Sequence, residues 1–221
     1  LIIINFPHNP TGATLSQDQF RAVLDLAVSR SITVFSDEMY RFLEYDPRVR
    51  LPSASDLTDS AVSLFGLSKS FALAGLRIGW LTAQNTSLLE KCASFKDYTT
   101  ICSSGPSEIL AIAALRCREK ILTRNRAIIQ DNLELLDSFF AEYRDIVAWN
   151  RPQAGPIAFP ELKQERDIGN FCLDLIREKG VLLLPAGLYD YPGRHFRIGF
   201  GRTNMKEALD KLREYLTEQK R

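Results

Sequence analysis

Residues 66–80 read GLSKSFALAGLRIGW, and this stretch joins two of four short apolar runs that we interpret as β-strands. The four runs are Leu1–Phe6, Ile32–Ser36, Ala61–Phe65 and Gly79–Ala83. They are rich in β-branched residues, and a helical pattern joins the first two. This alternation is typical of an α/β fold with a largely parallel, buried sheet, which we therefore predict.

The first helix has the clearest signature. Ser16 and Gln19 have the spacing of a capping box, in which each side chain bonds the backbone N–H of the other residue. Apolar residues follow at helical spacing, so we predict a helix from about Gln17 to Arg30.

The rest of the chain is predicted to be helical first and mixed later. Helical patterns cover Ser87–Tyr98, Pro106–Cys117, Glu119–Tyr143, Ile168–Lys179 and Met205–Glu218. Apolar segments that read as strands are Ile146–Trp149, Ile157–Phe159, Val181–Leu184 and Phe196–Phe200. We predict that residues 1–118 belong to a larger domain, that 119–144 form a long bridging helix, and that 145–221 form a smaller C-terminal α/β domain.

Composition excludes several classes of protein. The 28 Lys and Arg nearly balance the 27 Asp and Glu, so the charge does not favour nucleic acid or anionic membrane as a partner. No apolar run approaches the roughly 18 residues of a membrane span. The four cysteines lack C-x-x-C spacing, which argues against a zinc site and favours a reducing, cytoplasmic location.

The chain begins with Leu1-Ile2-Ile3-Ile4, which is a buried-strand pattern with no initiator Met before it. We interpret the chain as a piece of a longer protein. The preceding part is expected to belong to the same domain, because the interior of a strand is a poor domain boundary.

Polar residues follow the first two predicted strands. Residues 9–12 read NPTG and residues 37–40 read DEMY, so both groups lie where α/β proteins bind ligands, at the carboxyl ends of strands. Each group also has an ordinary structural interpretation. Asn9-Pro10 suits a simple turn, and Asp37 could cap a helix.

Lys69 follows the third strand in an apolar turn flanked by glycines. A desolvated lysine favours its neutral amine, which is the form that attacks a carbonyl to give a Schiff base. Arg77, eight residues later, could reach a phosphate. Taken alone, the segment favours a simpler interpretation, which is a surface lysine with a buried stem.

The three groups, in this order at the ends of strands, resemble the class I and II aminotransferases, which are pyridoxal 5′-phosphate enzymes of fold type I. Phe196-Arg197-Ile198-Gly199-Phe200 extends the resemblance over essentially the whole chain. The resemblance implies a mostly parallel sheet in a large domain and a smaller C-terminal domain. It also implies that the chain corresponds to the C-terminal half or more of such an enzyme, and that the enzyme is a homodimer.

The resemblance further implies the role of each residue. Lys69 would bind the cofactor as a Schiff base and move a proton at the substrate α-carbon, while Asp37 would keep the pyridine nitrogen protonated. Asn9 and Tyr40 would bond the ring oxygen and so lower the pKa of the lysine linkage. Phosphate would be bound by Arg77 and, less strongly, by Ser68. Arg197 would bind the substrate carboxylate, with Arg202 as the competing residue.

One departure from the family pattern concerns the phosphate. Many relatives carry a serine three residues before the lysine, whereas this chain has Gly66 there. Phosphate binding would then depend more heavily on Arg77 and on residues outside this chain.

The leading hypothesis is therefore an aminotransferase that moves an amino group between an amino acid and a 2-oxo acid. The same motifs occur in carbon–sulfur lyases and cyclases of this fold. A transcription regulator with an aminotransferase-like domain that binds the cofactor without turnover is a third interpretation.

Overall fold

The structure is a computed structural model that describes residues 1–218. These residues form two compact units. Unit 1 comprises residues 1–8, 13–125 and 153–155, and unit 2 comprises residues 9–12, 126–152 and the described residues from 156 onward. The boundaries predicted at residues 118 and 144 stay a prediction.

Unit 1 contains a four-stranded sheet and the helices around it. Its elements are β1 (Ile2–Asn5), α1 (Gln17–Ser29), β2 (Val34–Asp37), α2 (Ala54–Leu57), β3 (Ala61–Gly66), β4 (Gly79–Ala83), α3 (Thr86–Thr99) and α4 (Gly105–Arg116). The strand order is β1-β2-β3-β4, with β1, β2 and β3 parallel and β4 antiparallel to β3. The predicted α/β fold with a largely parallel sheet is thus confirmed.

Helix α1 forms as the sequence predicts. The Ser16 hydroxyl accepts from Gln19 N at 3.1 Å, and the Gln19 side chain accepts from Ser16 N at 2.9 Å. The helix then buries Phe20, Leu24 and Ala27 against the sheet residues Val34 and Ala61. The capping box therefore starts the helix, and its apolar stripe holds it on the sheet.

Unit 2 has short antiparallel strands and two helices of its own. Its elements are β5 (Val147–Ala148), β6 (Ile157–Ala158), β7 (Glu161–Leu162), α6 (Ile168–Lys179), β8 (Leu184–Pro185), β9 (Phe196–Gly199) and α7 (Met205–Glu218). Strand β5 pairs with β7, and β6, β9 and β8 form a three-stranded sheet in that order. The long helix α5 (Arg118–Glu142) contributes residues to both units.

The prediction of a strand at Val181–Leu184 was wrong in position, because the strand found there is β8 at Leu184–Pro185. Only Leu184 and Pro185 pair with β9, and Leu182 is 65% exposed. An apolar run becomes a strand only where a neighbouring backbone pairs with it, and β9 does so only at these two residues. Strand β7, which has no long apolar run, was not predicted from the sequence.

No helix within residues 1–218 combines the length and the apolar character that crossing a membrane requires.

Gly79 is a position where the close approach of two strands requires glycine. A Cβ there would lie 2.7 Å from the carbonyl oxygen of Phe65 on β3. We expect Gly79→Ala to lower the free energy of unfolding by about 1–3 kcal/mol, because backbone must move to make room. Urea denaturation measures this loss.

Gly75→Ala is the matched control, because a Cβ at Gly75 meets nothing within 4 Å. Its expected effect is neutral or slightly stabilising. Equal losses in the two variants would contradict the explanation by close packing at Gly79.

Candidate active site

Asp37 is the last residue of β2 and lies at the carboxyl edge of the parallel strands, opposite Asn5 of β1. Its half-buried carboxylate accepts from Met39 N through Oδ1 at 3.1 Å, and its backbone oxygen accepts from Asn5 Nδ2 at 3.1 Å. The carboxylate therefore stabilises the turn after β2. It also places a negative charge at the edge where α/β folds bind ligands.

The turn after β2 places Tyr40 and Lys69 near one another. Tyr40 is buried, with 6% of its surface exposed, and the Nζ of Lys69 lies 5.9 Å from the centre of its ring. An ammonium group at this distance from an aromatic ring is attracted by the ring electrons. The structure thus brings together two of the residues that the sequence singled out.

The prediction that Lys69 is desolvated was wrong, because the residue is exposed. The apolar neighbours Leu67 and Phe71 pack inward against Ala111 and Ala114 of α4. They bury their own side chains and leave the lysine outside this core. An apolar context along the sequence therefore did not produce an apolar environment around Nζ.

The packing around Gly66 leaves little room for a serine three residues before Lys69. A Cβ at Gly66 would lie 3.0 Å from the Met39 Cε and 3.1 Å from the Ile78 oxygen. The absence of a side chain at Gly66 therefore lets the end of β3 pack closely against Met39, the residue before Tyr40.

The two predicted phosphate ligands lie on either side of Lys69 in the sequence. Ser68 is half-buried, and Arg77 is exposed with a left-handed backbone, at φ 54°. The Arg77 guanidinium donates to the Ala74 oxygen at 3.0 Å. This contact uses one of the five N–H donors of the guanidinium. Binding of a phosphate by Arg77 stays a prediction.

Unit 2 contains the other two predicted residues, and they contact each other. Arg197 on β9 donates from Nη1 to the Asn9 Oδ1 at 3.3 Å, and its guanidinium carbon lies 5.9 Å from the ring centre of Tyr189. The flanking residues Phe196 and Ile198 are buried, which fixes the strand. The competing residue, Arg202, is exposed.

Arg197 and Arg202 both line a groove of about 470 Å³ in unit 2. Leu184 of β8, which pairs with Arg197, and apolar residues of α7 also line this groove. The guanidinium of Arg197 is oriented by both the Asn9 amide oxygen and the Tyr189 ring. An oriented guanidinium suits two-pronged binding of a carboxylate.

Two further features concern ionisable groups. Burial lowers the pKa of His8, the residue before Asn9, and so favours the neutral imidazole. Among residues 1–218, no three His, Cys, Asp or Glu side chains are grouped as metal ligands.

Sequence reasoning missed three residues around these groups: Ser70, Asn125 and Tyr189. Asn125 carried a detectable signal, because it is a polar residue on the buried stripe of α5 between Leu122 and Ile129. Ser70 and Tyr189 had no such signal, since their partners lie far away in the sequence or across a turn.

Comparison with known proteins is consistent with this geometry. A family model described as aminotransferase class I and II matches residues 1–214. The chain is 29% identical over 217 residues to a probable N-acetyl-LL-diaminopimelate aminotransferase of Bacillus subtilis. It superposes on a crystallised PLP-dependent aminotransferase of Streptococcus suis with a TM-score of 0.91 at 31% identity, and on the PLP-dependent cyclase OrfR with a TM-score of 0.90 at 30% identity.

These matches cover nearly all of this chain but only part of each relative. They include 97% of the chain for the Bacillus protein and 98% for each crystal structure. The chain spans little more than half the length of the proteins it matches: 53%, 57% and 58%, in the same order.

Proposed function

The chain belongs to the aminotransferase class I and II family, and from this premise we propose that the protein is a pyridoxal 5′-phosphate-dependent aminotransferase. It would move an amino group between an amino acid and a 2-oxo acid. The observation that carries the proposal is the position of the Lys69 Nζ beside the buried ring of Tyr40, which follows the half-buried Asp37 carboxylate by three residues.

The side chains of unit 1 fit the chemical groups of this cofactor. A primary amine suits its aldehyde, a carboxylate its ring nitrogen, a phenol its ring oxygen and a guanidinium its phosphate. These donors are Lys69, Asp37, Tyr40 and Arg77, with Ser68 beside Lys69. When bound, the cofactor supplies an electron sink for the substrate α-carbon and carries the amino group.

Lys69 would have two tasks. As a neutral amine, its Nζ would hold the cofactor by a covalent bond, and once released it would move a proton at the substrate α-carbon. The exposed position of Lys69 supports the second task, because an exposed side chain can move between two positions without disrupting a core. The inward packing of Leu67 and Phe71 meanwhile holds the backbone of the loop.

Asp37 and Tyr40 would set the electronic state of the cofactor. The Asp37 carboxylate favours a protonated ring nitrogen, since an opposite charge nearby stabilises the cationic form. The Tyr40 hydroxyl would donate to the ring oxygen. The burial of the Tyr40 ring supports this assignment, because it limits the positions that the hydroxyl can occupy.

Asn9 and Arg197 would act at the substrate and at the ring oxygen. Arg197 would bind the α-carboxylate by its planar guanidinium. The Asn9 Oδ1 accepts from Arg197, so its Nδ2 would be the donor toward an acceptor such as the ring oxygen. One amide would thereby orient the arginine and contribute to cofactor binding.

A spectrum of the complete protein with pyridoxal 5′-phosphate tests the proposal. We expect an absorbance band near the visible edge that disappears on borohydride reduction, with the label on Lys69 when peptides are mapped. A panel of amino acids should then convert the bound cofactor to its amine form, and a 2-oxo acid should restore it. Absence of both the band and the trapped lysine would overturn the proposal.

A cyclase or lyase is the second candidate, and the similarity to the cyclase OrfR supports it. Product analysis separates these reactions. A transferase needs a 2-oxo acid to complete its cycle, whereas a cyclase or lyase turns over with the amino acid alone.

Arg197→Lys should weaken substrate binding through the carboxylate. Lysine keeps the charge but loses the planar pair of donors, so we expect KM for amino acids to rise about tenfold or more. Steady-state kinetics with an amino acid and with an amine that lacks a carboxylate measure this.

The KM for the amine should stay unchanged. Arg202→Lys is the matched control and should have no effect on either substrate. A larger effect at Arg202 would assign the carboxylate to that residue instead.

We also propose that the protein is a homodimer and that helices α3 and α4 contribute to its interface. Large apolar side chains are exposed on and between these helices. They are Phe95, Tyr98, Ile101, Ile109 and Ile112, and each is more than half exposed. A second copy of the chain would bury them, and an apolar patch of this kind is typical of protein interfaces.

Adding charge to this face should dissociate the dimer. For the variant Tyr98→Asp with Ile109→Asp, we expect the dimer Kd to rise by at least about tenfold, because two buried charges would be unpaired. Analytical ultracentrifugation of the complete protein measures the change. Leu173→Asp, on helix α6 of unit 2, is the control and should remain dimeric. A wild-type protein that is monomeric would contradict the proposal.

The substrates would be small molecules, and we propose a cytoplasmic location. Cys92, Cys102, Cys117 and Cys172 are all free thiols in the structure, as is usual in a reducing compartment.

A further inference from the structure

Ser70, the residue after Lys69, bonds to the segment that carries Tyr40. Its side chain is 3% exposed, and its hydroxyl reaches the Met39 oxygen at 3.1 Å and the Arg41 oxygen at 2.5 Å. These two carbonyl groups lie immediately before and after Tyr40. The hydroxyl has a single hydrogen, so its donation is shared between these two carbonyl oxygens and connects the loop of the lysine to the segment of the tyrosine.

Helix α5 holds Ser70 from the other direction. Asn125 is 7% exposed, and its Nδ2 donates to the Ser70 oxygen at 2.9 Å. The two residues are 55 positions apart in the sequence. Ser70 is therefore bonded through both its side chain and its backbone. We call these contacts the Ser70–Asn125 link.

The segment around Tyr40 is itself bonded to the sheet and to α2. Glu38 N donates to the Leu64 oxygen of β3 at 3.0 Å. Arg41 donates from Nη1 to the Leu51 oxygen at 2.6 Å and to the Glu38 Oε2 at 3.3 Å. The other oxygen of the buried Glu38 carboxylate accepts from Ala54 N at 3.0 Å. The carbonyl groups that accept from Ser70 thus belong to a segment held by several hydrogen bonds, and Ser70 connects this segment to the residue next to Lys69.

Stability alone does not require polar side chains at these two positions. Burying a hydroxyl or an amide has a desolvation cost that its hydrogen bonds only modestly outweigh, and an apolar residue on the buried stripe of α5 would pack there without that cost. Hydrogen bonds have directions, however, whereas apolar contacts do not. The link therefore defines where the loop lies to a degree that core packing alone would not.

We propose that Ser70 and Asn125 are positioning residues that set the place of Lys69 relative to Tyr40, so that both side chains act on one cofactor. This inference rests on the proposed function. Without the link, the Tyr40 hydroxyl loses its alignment with the ring oxygen of a cofactor attached to Lys69. The pKa of the lysine linkage then rises, because a hydrogen bond to that oxygen is what lowers it.

A pH titration of the absorbance of the complete protein with bound pyridoxal 5′-phosphate and no substrate tests the inference. We expect the midpoint to rise by about half a pH unit or more in Ser70→Ala and in Asn125→Ala, which is the size expected from weakening one hydrogen bond. The double variant should shift by less than the sum of the two single shifts, because both residues act through one link.

Asn132→Ala is the matched control. Asn132 lies on the same helix, is 5% exposed, and donates to the Phe200 and Arg202 oxygens at 2.8 and 2.7 Å. It should lose a similar amount of stability in thermal unfolding and leave the midpoint unchanged. If Ser70→Ala does not fold, Asn125→Ala still tests the link, since it leaves the loop sequence intact.

The outcomes separate the two proposals. A wild-type protein without the absorbance band overturns the proposed function, and the role of the link is overturned with it. A wild-type band whose midpoint is the same in Ser70→Ala, Asn125→Ala and Asn132→Ala overturns the inference alone. A shift confined to the first two variants supports it.

Discussion

Replacement of Lys69 by alanine is expected to abolish covalent attachment of pyridoxal 5′-phosphate and to lower the rate of amino transfer by on the order of 10⁴-fold or more. The loss is large because one amine would both hold the cofactor and move the proton at the substrate α-carbon. The Nζ of Lys69 is also the amine that lies beside the Tyr40 ring. The absorbance spectrum, borohydride trapping and single-turnover rates measure the two losses separately.

Two further variants identify which property of Lys69 matters. Lys69→Arg keeps the positive charge, but arginine stays protonated and cannot attack a carbonyl, so it should be as inactive as alanine. Lys96→Ala is the matched control, because Lys96 is also exposed and its Nζ donates to the backbone oxygen of Ile101 at 3.4 Å. Full cofactor absorbance and activity in Lys69→Ala would contradict the assignment.

Asp37→Asn is expected to lower activity by about 10²–10³-fold with little loss of stability. An asparagine oxygen can still accept from Met39 N, so the turn after β2 should survive. The negative charge that favours a protonated cofactor ring is lost, which weakens the ring as an electron sink. Steady-state rates and thermal unfolding of the same preparations measure both effects.

Asp37→Ala provides the comparison, because it removes the charge and the turn acceptor together. It should be as inactive as Asp37→Asn and less stable. Near wild-type activity in Asp37→Asn, combined with a destabilised Asp37→Ala, would mean that Asp37 serves only the turn.

Local patterns predicted most of the fold. The capping box of Ser16 and Gln19 placed α1, and helical spacing placed α6 and α7 at the bounds the structure has. These features depend on neighbours within one or two turns of the chain. Strand β8 was misplaced because its pairing depends on β9, and the apolar run at Val181–Leu184 does not show how far that pairing extends.

The candidate site was less predictable than the fold. The motifs indicated Asn9 and Arg197, but the bond between them joins residues 188 positions apart and leaves no local pattern. The same holds for Ser70 and Asn125. The exposure of Lys69 could not be predicted either, because an apolar sequence does not show toward which side its apolar residues pack.

The two units of the fold are interleaved along the chain. Residues 9–12 belong to unit 2 although unit 1 precedes and follows them, and residues 153–155 belong to unit 1 within a stretch of unit 2. No single cut of the gene therefore yields both units whole. A cut after residue 125 would leave residues 9–12, which belong to unit 2, in the N-terminal product. It would leave Gln153–Gly155, which belong to unit 1, in the C-terminal product. Neither half is suited to serve as an exchangeable module in a chimaera, and recombination between relatives should be tolerated only when these short segments are exchanged with the unit to which they belong.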